Sequence, residues 1–186
     1  MYANEWLALE GYMFLDWPRG FDGDNIPELA KHLIELHSIQ SSDSVVGTSL
    51  GGMVACEIAN QIQSEKTVLI SSAVKNEEVS HLLERVHPLI DHTPIEFLKR
   101  VARILPGELA PLFVDADAVL LRNMCRAIFS WKGARSLDRV FRIHGRRDHV
   151  IPLPKEVDHV VDGGHMISMT HSGECARVTH SILCTC

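Results

Sequence analysis

The sequence predicts an α/β fold, with a mostly parallel sheet of about five strands flanked by helices and a helical cap inserted into the chain. On both sides of the middle of the chain, short apolar runs alternate with helical patterns, an order typical of parallel sheets covered by helices. Between them, residues 75–136 contain helical patterns and no convincing strand. We therefore expect one sheet domain, formed by residues 1–74 and 137–186, with residues 75–136 as the cap.

The first two elements illustrate the patterns used. The run YMFLDWP at 12–18 is apolar and ends at a proline, which predicts a short buried strand. Residues 25–37 carry apolar side chains at the spacing of one helical face, with Asn25 as the predicted N-cap. On the same grounds we predict strands at 44–47, 66–73, 139–148 and 157–165, and helices at 50–63 and 168–183.

The predicted cap is helical because its apolar residues recur every three or four positions. Residues 115–131 carry one such stripe, and Thr93 to Glu96 form a capping box that opens a second helix. The stripe indicates a small to medium, partly apolar substrate, although such stripes are more often packed core.

Composition limits the classes of function. The chain has 186 residues, 46% hydrophobic and 23% charged, with a net charge of −6, which argues against a general binder of nucleic acid or anionic membranes. No apolar run is long enough to span a bilayer, and the first residues do not resemble a secretion signal. The five cysteines are scattered and odd in number, so we expect no disulfide framework and a cytoplasmic protein. The oligomeric state stays open.

A single serine stands between glycines where a strand gives way to a helix. Ser49 lies in Gly47-Thr48-Ser49-Leu50-Gly51, directly before the predicted helix at 50–63. A serine hydroxyl needs an adjacent base to act as a nucleophile, and amide N–H groups must stabilise the oxyanion that it creates. A tight strand-to-helix turn exposes the serine beside the first N–H groups of a helix, with Gly47 and Gly51 expected to supply the small neighbours. This is the nucleophile-elbow pattern.

Two later residues complete a possible catalytic triad. Asp148 lies at the end of the run 139–148, in the loop directly after its strand, and His165 lies at the end of the run 157–165, after its strand and the Gly163-Gly164 turn. The carboxyl ends of parallel strands lie at the same edge of a sheet, so both residues are expected beside Ser49. The order Ser, Asp, His is the order found with a nucleophile elbow.

Other acids and histidines are weaker candidates. Asp162 is too near His165 along the backbone to reach its far ring nitrogen comfortably. His144 lies inside a strand and is expected to be structural, His149 is expected to be exposed, and His171 lies in the terminal helix. A metal site made of His144, Asp148, His149 and His165 is a further alternative, which leaves the serine between glycines unexplained.

These motifs resemble the α/β-hydrolase superfamily. GTSLGG, HGRRDHVIP and GGH are similar to its nucleophile, acid and histidine segments, and the resemblance extends over about residues 4 to 184. The resemblance implies that Ser49 is the nucleophile, His165 the general base and Asp148 its orienting partner. It also implies that the backbone N–H of Leu50 is one oxyanion donor, and that neither a cofactor nor a metal is needed.

The N-terminal part departs from the family pattern. Family members carry three strands before the one that 12–18 resembles, and the third of these lies beside the nucleophile strand and precedes the loop with the second oxyanion donor. Only 11 residues precede Tyr12 here. Either the true start lies upstream of Met1, or the strand at 12–18 pairs directly with the Ser49 strand. In both cases, the second oxyanion donor is either a residue around Met1 to Ala3 or is lacking from this sequence.

The predicted function is that of a serine hydrolase which cleaves a small carboxylic ester or thioester through an acyl-enzyme. A lyase or C–C hydrolase on the same triad is an alternative within the superfamily. A third alternative is a catalytically weak or non-catalytic binding protein, because the oxyanion loop is missing.

Overall fold

The computed structural model describes residues 3–18, 21, 23–79, 123 and 127–185. The elements that lie wholly within these residues are four strands, five α-helices and one 3₁₀ turn. In chain order they are α1 (Asn4–Leu7), α2 (Ile26–His37), β1 (Val45–Thr48), α3 (Leu50–Ile62), β2 (Thr67–Ile70), the 3₁₀ turn (Asn76–Glu78), β3 (Val140–Gly145), β4 (His159–Val161), α4 (Ile167–Thr170) and α5 (Ser172–Cys184).

The four strands form one parallel sheet in the order β1-β2-β3-β4. Each strand therefore lies beside the next one along the chain, and all their carboxyl ends meet at one edge. The predicted parallel sheet flanked by helices is confirmed, with four strands in the described part of the chain where about five were expected. β2, β3 and β4 are shorter than the apolar runs that predicted them, because pairing with a neighbour ends before the run does.

Helices cover both faces of the sheet. Side chains alternate between the faces along β2: Leu69 packs with α2 and α3, while Val68 and Ile70 pack with α1, α4 and α5. All three side chains are buried. Because both faces of β2 are buried, its sequence is a continuous apolar run without polar residues in alternate positions.

The predicted strand at 12–18 is wrong, and so is its pairing with the Ser49 strand. These residues have no regular secondary structure and are not part of the sheet. Met13 is 73% exposed and Trp17 45%, so the segment is not a buried strand, although Phe14 packs against the core that contains Val68. A short apolar run does not distinguish a strand from an apolar loop, since strand formation needs a neighbour that only the tertiary structure supplies.

The predicted helices within the described residues form, with changes at their ends. The side chain of Asn25 accepts a hydrogen bond of 2.9 Å from the backbone N–H of Glu28, as expected of an N-cap. The terminal helix predicted at 168–183 is two helices, α4 and α5, because the backbone of His171 leaves helical geometry with φ −130° and ψ 37°.

Most of the predicted cap lies outside the described residues, so the cap stays a prediction. The chain that returns from it is bound to α3. Trp131 Nε1 donates to the buried Glu57 carboxylate at 3.1 Å, and the Asn60 side chain bonds both Gly133 O and Arg135 N. The helix that begins after Ser49 therefore also holds residues 131–135, the segment that leads into β3.

Two composition-based expectations bear on the described residues. No helix in the ranges given above is both long and apolar enough to cross a membrane. Cys56 and Cys175 are free, buried thiols that pack as small apolar side chains. Burial raises the pKa of each of these thiols to about 12. Cys125 and Cys186 lie outside the described residues.

Candidate active site

Ser49 sits at a strained turn between β1 and α3. Its backbone has φ 53° and ψ −124°, a region that non-glycine residues rarely adopt and that costs about 1–3 kcal/mol. Several hydrogen bonds hold this conformation: Ser49 N–H donates to Ile70 O at 3.0 Å, while Ser49 O accepts from Ser72 Oγ at 2.6 Å and Gly52 N at 3.0 Å. The neighbouring strand β2 thus fixes the turn from the side.

The glycines around Ser49 do not all have the expected role. A Cβ at Gly47 would overlap the backbone of Gly51 and Gly52, and a Cβ at Gly52 would overlap the side chain of Ser72. These two positions therefore require glycine for close approach. At Gly51, by contrast, no described residue outside its own helix lies within 4 Å of the place a Cβ would take. The expectation that Gly51 is a steric necessity is wrong.

The structure brings Ser49, His165 and Asp148 together. His165 Nε2 lies 2.9 Å from Ser49 Oγ, and His165 Nδ1 lies 2.8 Å from Asp148 Oδ2. Since a carboxylate only accepts hydrogen bonds, Nδ1 carries the proton and Nε2 presents its lone pair to the serine hydroxyl. His165 and Asp148 are each 5% exposed, whereas Ser49 is partly exposed.

Asp148 is held by hydrogen bonds on both oxygens. Its Oδ1 accepts from the backbone N–H groups of Val150 and Ile151, each at 2.9 Å, and its Oδ2 accepts from His165. Burial by itself raises the pKa of this carboxyl. The hydrogen bonds from His144 and His165, the charge of His165 and the backbone N–H of Ile151 outweigh it and lower the pKa well below its ordinary value. Asp148 is therefore ionised at neutral pH.

The loops that carry Asp148 and His165 are bonded to each other. Arg147 N–H donates to Gly163 O at 2.8 Å, and a Cβ at Gly145 would overlap the carbonyl oxygen of Gly164. The end of β3 therefore touches the turn before His165, and this contact holds the loop of the acid beside the loop of the histidine.

One backbone donor lies beside the serine. Leu50 is the first residue of α3, and no described residue accepts a hydrogen bond from its N–H. The N–H groups of a helix's first turn have no partner within the helix, so this group is available to an oxyanion. Met1 and Tyr2, where a second donor is expected, lie outside the described residues, and the second donor stays a prediction.

The weaker candidates lie elsewhere or have other partners. The Asp162 side chain is exposed and lies 3.6 Å from Arg147, and His149 is exposed. His171 Nδ1 lies 2.9 Å from Thr170 Oγ1. Among the residues that the structure describes, no group of three or more His, Cys, Asp or Glu side chains could hold a metal ion.

One residue near the site was not predicted: Ser72, which bonds the carbonyl of Ser49. Its signal was its place at the carboxyl end of the predicted strand 66–73. His144, expected to be structural because it lies inside a strand, is buried in β3 beside Asp148.

No protein-family model and no curated protein matches the sequence. Solved structures do match the fold. A meta-cleavage product hydrolase from Pseudomonas fluorescens is 20% identical with a TM-score of 0.58, and the match covers 93% of this chain and 76% of that one. A lipase-esterase related protein from Clostridium acetobutylicum is 14% identical with a TM-score of 0.64, covering 90% and 79%. An esterase from Rhodococcus is 18% identical with a TM-score of 0.57, covering 95% and 78%.

Proposed function

The chain has the α/β-hydrolase fold, and we propose that it is a serine hydrolase which cleaves a carboxylic ester or thioester. The observation that carries the proposal is the unbroken pair of hydrogen bonds from Ser49 through His165 to Asp148. A buried, ionised acid behind a histidine, and a histidine behind a partly exposed serine, is the arrangement that acyl transfer through serine requires.

In the proposed acylation, Ser49 Oγ attacks the carbonyl carbon while its proton passes to His165 Nε2, 2.9 Å away. Asp148 keeps the other ring nitrogen protonated and stabilises the imidazolium that forms. The carbonyl oxygen becomes negative beside the N–H of Leu50, at the positive end of α3. The imidazolium then protonates the leaving alcohol or thiol.

Deacylation repeats these steps with water as the nucleophile and releases the carboxylic acid. Leu50 is the donor assigned to the oxyanion from the described residues. If no second donor joins it, turnover falls by about 10²- to 10³-fold relative to a complete oxyanion hole. Activity would then be weak even with an intact triad, and the chain would approach the alternative of a non-catalytic binding protein.

Hydrolysis of a C–C bond is the second candidate function. It is kept as a candidate because one of the matched structures is a meta-cleavage product hydrolase. A sequence identity of 20% indicates a shared fold but not a shared reaction. The ester and C–C candidates must therefore be distinguished by the substrates that the protein hydrolyses.

The first experiment is labelling with a fluorophosphonate probe, which reacts with an activated serine. We expect labelling at Ser49 that is abolished in Ser49→Ala and retained in Ser41→Ala, an exposed serine of the loop before β1. We expect His165→Ala to lower the rate of ester hydrolysis by about 10⁴- to 10⁶-fold. The double variant with Ser49→Ala should hydrolyse the ester about as slowly as either single variant. A folded wild-type sample that stays unlabelled would contradict the proposal and favour the binding role.

The second experiment compares substrates. We expect turnover of p-nitrophenyl acyl esters and acyl thioesters of graded chain length, and none in Ser49→Ala. A sample that is labelled by the probe but hydrolyses only a meta-cleavage product would support the C–C candidate over the esterase.

A further inference from the structure

His144 is a buried histidine that the triad does not use. It lies near the end of β3, pairs with Val160 of β4 and is 1% exposed. A polar ring this deeply buried needs hydrogen-bond partners inside the protein. Its partners are therefore a guide to its role.

The ring nitrogen Nε2 of His144 faces two acceptors. It lies 2.8 Å from Ile151 O and 3.4 Å from Asp148 Oδ2. Both oxygens only accept, so Nε2 carries a proton that it donates to Ile151 O, with the carboxylate as the second, longer contact.

Ile151 connects the two interactions. Its N–H donates to Asp148 Oδ1 at 2.9 Å, while its carbonyl accepts from His144. Ile151 is 2% exposed, so both bonds are made inside the protein. The turn from Asp148 to Ile151 is therefore closed at one end by the carboxylate and at the other by the His144 ring.

The same carboxylate oxygen faces both histidines. Asp148 Oδ2 lies 2.8 Å from His165 Nδ1 and 3.4 Å from His144 Nε2, and the Asp148 side chain is 0% exposed. A shift of the turn would move this oxygen relative to His165, and through His165 relative to Ser49.

We propose that His144 is a positioning residue, which holds the turn 148–151 and its carboxylate in the orientation that His165 needs. The inference rests on the proposed hydrolase function for its kinetic consequence, but the placement of Asp148 is a structural property that can be measured without substrate.

The test compares three substitutions of His144. His144→Gln keeps a terminal N–H donor at similar reach, His144→Asn keeps a polar amide that is too short, and His144→Leu removes the donor. His159→Leu is the matched control, a histidine on the adjacent strand that bonds Glu174 at 2.7 Å instead.

We expect His144→Leu and His144→Asn to lower kcat for p-nitrophenyl acetate by about 10²-fold with KM nearly unchanged, since only the alignment of the reacting groups is lost. His144→Gln should recover most of kcat, and His159→Leu should match the wild type. If the leucine variant does not fold, the Gln and Asn pair carries the comparison.

The second readout is the low-field proton resonance of the His165 ring N–H that bonds Asp148, identified by its absence from His165→Ala. It should persist in wild type, His144→Gln and His159→Leu, and be shifted or lost in His144→Leu and His144→Asn. An unchanged resonance and kcat in the folded Leu and Asn variants would overturn the proposal, as would an equal loss in His159→Leu. A wild type that shows the resonance but no probe labelling would overturn the hydrolase function and leave the positioning of Asp148 supported.

Discussion

The hydroxyl of Ser72 donates a hydrogen bond of 2.6 Å to the backbone carbonyl of Ser49. Ser72 follows β2 and Ser49 follows β1, so the bond joins the carboxyl ends of two neighbouring strands. It stabilises a backbone conformation that is unfavourable by itself, with φ 53° at Ser49. The position of the proposed nucleophile therefore depends on a residue 23 positions later in the chain.

We expect Ser72→Ala to destabilise the protein by about 1 kcal/mol and to slow labelling of Ser49, because the strained turn loses one of its hydrogen bonds. Ser64→Ala is the matched control: Ser64 is also buried and bonds Thr67 Oγ1 at 3.1 Å, away from the turn. Ser64→Ala should lower the free energy of unfolding by a similar amount and leave the rate of Ser49 labelling unchanged. Urea unfolding and probe kinetics measure the two effects, and equal labelling rates in both variants would contradict this role for Ser72.

The two glycines that flank Ser49 should respond oppositely to alanine. Gly47→Ala places a methyl group against the backbone of Gly51 and Gly52, and we expect a loss of about 1–3 kcal/mol or more. Gly51→Ala meets no described residue outside its helix and should be neutral, or stabilising by up to about 1 kcal/mol. Thermal and urea unfolding of both variants provide the comparison. Similar losses at the two positions would show that Gly51 is sterically constrained after all.

The lowered pKa of Asp148 predicts a pH dependence of stability. In the unfolded chain an aspartate has a pKa of about 3.9, so the ionised carboxylate stabilises the fold above that pH. The contribution is lost as the pH falls toward the lower pKa of the folded state. Between about pH 5 and pH 2 we expect the wild type to lose about 2 kcal/mol more unfolding free energy than Asp148→Asn.

Asp162→Asn is the control for this pH series. Asp162 is exposed and lies 3.6 Å from Arg147, a type of pair that contributes little to stability. Its acid dependence should follow that of the wild type. A wild-type curve that coincides with the Asp148→Asn curve would mean that the folded protein does not stabilise the carboxylate.

Two lysines provide a test of helix-end stabilisation. Lys66 Nζ donates to Ile182 O at 3.0 Å, to Leu183 O at 3.4 Å and to Thr185 O at the carboxyl end of α5. A cation there satisfies free carbonyls and the helix dipole, so Lys66→Ala should cost about 1 kcal/mol. Lys31→Ala breaks only an exposed pair with Glu35 at 3.9 Å and should cost less than about 0.5 kcal/mol. Equal unfolding midpoints for the two variants would argue against the helix-end contact.

Much of the fold was predictable because its signals are local. The spacing of Ile26, Ala30 and Leu33, together with the Asn25 cap, is sufficient for α2, since a helix makes its hydrogen bonds within itself. The turn at Ser49 was likewise predictable from the glycine at position 47 and from the helical pattern that follows Ser49.

What the sequence by itself determined was the order of the four strands of the sheet, and with it the edge of the sheet at which Ser49, Asp148 and His165 were expected. Only the tertiary structure decided that 12–18 is not a strand, that Gly51 is not sterically required, that Ser72 bonds the backbone of Ser49 and that His144 lies beside Asp148. The physical reason is that strand pairing, close approach and buried polar contacts join residues far apart in the chain. Their partners cannot be identified from the periodicity of any one segment.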